Sequence, residues 1–135
     1  TTQLAESIPL DALPPLVRKK AEWVLPHAIA AVEKAIEVGV PIAMGTDAGT
    51  PFNIHGKNAL ELAYMVECGM SPIDSLRSAT SLGHACMQYE DRGQIKEGFK
   101  ADLLIVDGNP EADILMAADS ANHRTVIKNG KTVTL

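Results

Sequence analysis

Asp47 has the surroundings that best suit a reactive residue. It ends the run Val40-Pro41-Ile42-Ala43-Met44-Gly45-Thr46-Asp47, and the loop signal Ala48-Gly49-Thr50-Pro51 follows at once. Val40, Ile42, Ala43 and Met44 make a nearly continuous apolar stretch, as expected of a strand covered on both faces, and Gly45 permits close backbone approach. A carboxylate at the end of such a strand stands where a parallel barrel keeps its catalytic groups and metal ligands. Asp is equally at home as a plain turn former beside Gly, so spacing alone leaves both readings open. His55, in the long loop that follows, suits a substrate carboxylate or the support of a metal ligand, because an imidazole can donate from either nitrogen. An exposed loop histidine is the competing reading.

The other histidines carry less. His84 sits in a helical context that favours packing, His27 follows Pro26 at the start of a second helical half, and His123 lies in a polar connection. No His-x-His pair occurs, and no Gly-x-x-x-x-Gly-Lys, Gly-x-Ser-x-Gly or Gly-x-Gly-x-x-Gly motif. A hydrolytic zinc ordinarily takes about three protein ligands, so one carboxylate does not complete a centre.

Gly45-Thr46-Asp47-Ala48-Gly49, preceded by Gly39-Val40-Pro41-Ile42-Ala43 and followed by His55-Gly56, resembles the last-strand motif of the metal-dependent amidohydrolases, in the branch of imidazolonepropionase-like enzymes and Xaa-Pro dipeptidases. Ser78-Ala79-Thr80, Gly93 to Pro110 and Val126 to Lys131 are similar to that family's carboxyl-terminal stretch, in the same order. The resemblance implies an α/β fold: the carboxyl-terminal part of a (β/α)8 barrel, about residues 1–90, and strands of a small β-sandwich domain, about 91–135. It implies Asp47 as metal ligand and general base, holding a cation through one oxygen and taking a proton through the other. It makes His55 a substrate contact. One or two divalent ions, zinc first, are implied, with further ligands outside this chain. The implied reaction is hydrolysis of a dipeptide-like or cyclic amide, with deamination or lactone hydrolysis as alternatives. If the 135 residues act alone, a noncatalytic interaction module is the remaining alternative.

Several elements must position these groups. Leu16 to Val38 reads as helix after Pro14-Pro15, with Pro26 expected to kink or divide it near Leu25 and Gly39 to end it. Asn58 is expected to cap a helix over 59–68 closed by Gly69, Ser71-Pro72-Ile73-Asp74 to open the next, and Thr80 to cap a short one through about Gln88. From Gly93 the pattern turns to β, with a strand over 101–106 and a hairpin around Asn129-Gly130.

An ordinary barrel needs roughly 250 residues, so a chain of 135 is expected to be part of a larger enzyme, its partner being the amino-terminal part of the barrel. With 46% apolar and 21% charged residues and a formal net charge of −5, the composition is globular and argues against nucleic-acid binding. Arg18-Lys19-Lys20 reads as a solvated helix face. No stretch reaches the ~18 apolar residues of a membrane span, and a cytoplasmic setting is expected, with an upstream signal peptide left open. Cys68 and Cys86 are expected to be buried thiols rather than a disulfide, and self-association is compatible with everything above.

Overall fold

A computed structural model of the chain describes residues 9–49 and 53–133. A 3-10 turn, Leu10–Ala12, leads into helix α1, Pro15–Glu37. Pro15 at the first helical turn needs no N–H donor there, and Arg18 braces the turn above it through Glu22 at 2.7 Å, four residues on. Of the kink or division expected at Pro26, the division does not occur: α1 runs uninterrupted past it. Pro26 removes one bond, to the Glu22 carbonyl, and α1 has no buried residue, so water can reach that group. Gly39 ends the helix as expected, at φ 74, with Val40 N donating to Ala35 O (2.9 Å) and Gly39 N to Ile36 O (3.0 Å), the paired bonds of a Schellman close.

The segment from Val40 to Ala48 carries no strand ladder. Ladders require a neighbour, and among the described residues none runs beside it. Beyond the Val40 N bond that closes α1, a backbone bond from Met44 N to the Ser78 carbonyl at 3.0 Å ties the segment to the later helices. A 3-10 turn, Asn58–Leu60, then leads into α2, Glu61–Glu67, followed by α3, Pro72–Ala79, and α4, Ser81–Cys86. Gly69 closes α2 at φ 98. Ser71 caps α3 as expected: its hydroxyl accepts from Asp74 N at 3.2 Å and donates to the Asp74 carboxylate at 2.6 Å. That bond first, and Arg77 second, hold the Asp74 carboxyl below its ordinary range.

Thr80 does not cap α4; its hydroxyl donates back to Leu76 O at 2.7 Å, leaving the helix without a side-chain cap. The helix also stops earlier than expected, because Gln88 takes a left-handed φ of 59 and closes it with the bond pattern seen at Gly39.

Strand β1, Leu103–Val106, pairs antiparallel with β2, His123–Lys128, which pairs with β3, Lys131–Val133. Asn129 and Gly130, at φ 50 and 74, make the two-residue turn between β2 and β3, where both central positions need positive φ. Asp102 anchors the turn by accepting from Lys128 Nζ at 2.6 Å and Asn129 N at 2.8 Å.

Between β1 and β2 lies a helix the sequence did not announce, α5, Leu115–Ala118. Ile114, Ala117 and Ala118 form the buried cluster with Leu62 of α2, and Met44, Val66, Leu76 and Ala79 pack against it. Complete burial of a Leu or Ile stabilises by roughly 1.5–3 kcal/mol, so Leu62 and Ile114 are its main contributors. Ser75 and Ser78, both fully buried, lie in the same helical layer and satisfy their hydroxyls on Leu62 O (2.8 Å) and Ser75 O (2.6 Å). The cluster thereby fixes α3, and through Ser78 O the segment that ends in Asp47.

Neither cysteine is in a disulfide; Cys68 is half-buried and Cys86 exposed rather than buried as expected. Among the described residues no helix is long and apolar enough to cross a membrane.

Candidate functional site

Asp47 closes the apolar segment with an exposed carboxylate and a left-handed backbone, φ 50. Few non-glycine residues adopt that conformation, although Asp is among those that tolerate it best. Here it turns the chain sharply between Thr46 and the glycine that follows. Gly49 continues the turn at φ 110, and its N–H donates to Asn53 O at 2.8 Å, closing a loop whose residues 50–52 lie outside those described.

His55 lies on this loop. It is exposed, and its Nε2 comes within 3.1 Å of the position that a β-carbon on Gly49 would occupy. The imidazole therefore leans over the backbone two residues past Asp47, so the two sequence-proposed residues share one loop. A carboxylate and an imidazole presented to solvent together can accept a proton and bind an anionic or polar group.

Two asparagines that no motif singles out hold this loop. Asn53 is completely buried, and its Nδ2 donates to the Thr46 carbonyl at 2.6 Å. Asn58, expected as a helix cap, turns instead toward the loop: Nδ2 donates to the Thr46 hydroxyl at 2.9 Å, and Oδ1 accepts from Gly56 N at 3.1 Å. Thr46 is thus gripped at its backbone and its side chain by residues on the far side of the loop. The available signal was the density of Asn and Gly between 49 and 58, which marks side-chain-to-backbone bonding rather than a cap.

The remaining histidines are structural. His84 Nδ1 lies 2.7 Å from Thr80 O, and His27 Nδ1 2.6 Å from Trp23 O. His123, which opens β2, places Nε2 2.8 Å from Ala117 O and so tethers α5 to the sheet.

Among the described residues no three His, Cys, Asp or Glu side chains gather into a group that could hold a metal ion. The described residues therefore do not make a metal centre of their own; Asp47 offers a single carboxylate donor.

Residues 4–133 match the Amidohydrolase family. The ochratoxinase of Aspergillus niger is 34% identical over 120 residues, covering 83% of this chain and 24% of that protein. A 5-methylthioadenosine/S-adenosylhomocysteine deaminase of Pelotomaculum thermopropionicum is 32% identical over 126 residues, 81% of this chain and 29% of that protein. The crystal structure of a Xaa-Pro dipeptidase with methionine bound in its active site superposes with a TM-score of 0.85 at 38% identity, covering 99% of this chain and 32% of that one. The chain thus spans about a quarter to a third of the length of these relatives. Its helices and three-stranded sheet correspond to the carboxyl-terminal part of amidohydrolase barrel proteins. The chain belongs to the amidohydrolase family.

Proposed function

We propose that the protein containing this chain hydrolyses an amide, of dipeptide-like or cyclic form, with Asp47 as general base and metal ligand. The observation that carries this is the exposed, left-handed Asp47 at the end of the Val40–Thr46 segment, with His55 on the same loop. As water attacks the carbonyl carbon, the Asp47 carboxylate accepts its proton and returns it to the leaving nitrogen, so the C–N bond breaks to give a carboxylic acid and an amine. His55 orients the substrate by donating to its carboxylate. A divalent ion, one or two and zinc by preference, would supply Lewis-acid polarisation and a more acidic water, with Asp47 as one of its ligands and the others outside this chain. On this reading residues 1–90 serve the barrel and 91–135 the small β-domain.

The likeness to the methylthioadenosine deaminase favours a second reading, in which the same base serves attack on a ring carbon that bears an amino group. The test is Asp47→Asn in the full-length protein. We expect the fold to survive and turnover on Xaa-Pro dipeptides to fall about 10²-fold or more, as general-base losses do. Wild-type turnover in that variant, with equal metal content, overturns the assignment. Ammonia release from 5′-methylthioadenosine without dipeptide cleavage selects the deaminase reading.

A further inference from the structure

Asn53 is a costly residue to bury. It is fully enclosed, and among the described residues no donor reaches its Oδ1. An orphaned buried acceptor lowers stability, and an apolar residue of similar size would remove the penalty. What Asn53 supplies in exchange is the 2.6 Å bond from Nδ2 to the Thr46 carbonyl, the peptide group directly preceding Asp47. Asn58 approaches from the side-chain direction with the 2.9 Å bond to the Thr46 hydroxyl, and is itself held by Gly56 N. Asp tolerates the left-handed region better than most residues, and surroundings that over-determine the backbone hold it there against the remaining strain. Two amide donors on the preceding residue do so.

We propose that Asn53 and Asn58 are positioning residues that clamp Thr46, fixing the left-handed turn at Asp47 and with it the direction of the carboxylate. The inference rests on the reading of Asp47 given above. Neither asparagine needs to touch substrate: both act through Thr46. Loss of the clamp leaves the carboxylate chemically intact but misdirected, so kcat falls while KM stays near its wild-type value. Small errors of placement are costly in catalysis.

The experiment uses the full-length protein. Asn58→Ala, Thr46→Val, their combination and Thr46→Ser are assayed on Xaa-Pro dipeptides beside Asp47→Asn, and the Asn58→Ala crystal structure is solved. We expect Asn58→Ala and Thr46→Val each to lower kcat about tenfold with little change in KM, and the double variant to be no worse than either, because both cut the same bond. Thr46→Ser, which keeps the hydroxyl, regains most of what Thr46→Val loses. In the Asn58→Ala crystal, Asp47 leaves the left-handed region. Asn53→Leu should lose turnover while gaining or keeping thermal stability; should it not fold, the half-buried Asn58 and Thr46 still decide the matter. Wild-type kcat in Asn58→Ala, additive losses, or an unmoved Asp47 overturns the clamp. If Asp47→Asn keeps its turnover, or the wild type cleaves no dipeptide, the functional reading fails instead, and the crystal structure alone decides whether the clamp exists.

Discussion

His55 Nε2 lies 3.1 Å from where a β-carbon on Gly49 would sit, so the imidazole rests against the Gly49 backbone closely enough that a side chain there would push it aside by a few tenths of an ångström. Gly49 is also at φ 110, where a side chain is strained whatever the space around it. Gly49→Ala in the full-length protein should therefore displace His55 and add backbone strain of about 1–3 kcal/mol. The expected outcome is a lower melting temperature together with a KM raised several-fold, read by calorimetry and by dipeptide kinetics. Unchanged KM would separate His55 from substrate binding.

His55→Ala tests the same contact from the other side. If the imidazole orients substrate, KM or the preference among dipeptides changes while bound metal, measured by elemental analysis, stays constant. Parallel loss of metal and activity would instead make His55 a ligand or a support for one.

Asp102 predicts a pH dependence. The Lys128 ammonium first, and the Asn129 N–H second, hold its carboxyl below the ordinary value in the folded chain. A carboxyl with a lowered folded pKa binds fewer protons folded than unfolded, so its contribution is fully present above about pH 4 and is lost as pH falls through the lowered value. Melting temperatures of wild type and Asp102→Asn should differ at pH 6 and converge toward pH 3. A constant gap over that range would show that the bond to Lys128 does not report on protonation.

The isolated 135-residue chain should not be a catalyst. On the proposed reading Asp47 contributes one ligand, zinc needs about three, and among the described residues no three ligating side chains gather, so titration calorimetry should find only weak binding. Leu16 and Trp23 of α1 are 68% and 66% exposed, and among the described residues no strand lies beside the segment ending in Asp47, so light scattering should find association. Tight stoichiometric zinc in a compact, active monomer would contradict the prediction.

The features legible in the sequence were those decided within a few residues. Gly39 and Gly69 stop helices because only a left-handed residue closes the bonds there, Ser71-Pro72 starts one, and Asn129-Gly130 fits a turn that needs two positive φ angles. Asp47 and His55 are singled out by motif rather than physics, since neither the charge nor the ring reveals its setting from spacing, and the roles given to them are proposals. What escaped depends on distant partners. Asn58 was taken for a cap because local propensity favours one, yet Thr46, twelve residues away, claims its amide. Pro26 is expected to kink or divide its helix, and the division does not occur; α5 is hidden because four residues carry no usable period.

The pairing of Leu62 with Ile114 and Ala118 across some fifty residues of chain gives assembly an order. The pair can meet only after everything between them has been closed into a loop, and contacts so separated form late. Until residue 118 has been synthesised, α2 has no floor, and the peptide that delivers Asp47 leans on helices that are themselves unsupported. A cut placed near residue 90 would do more than remove a sheet: it would leave Leu62 facing water and the Asp47 segment anchored to a layer with nothing beneath it.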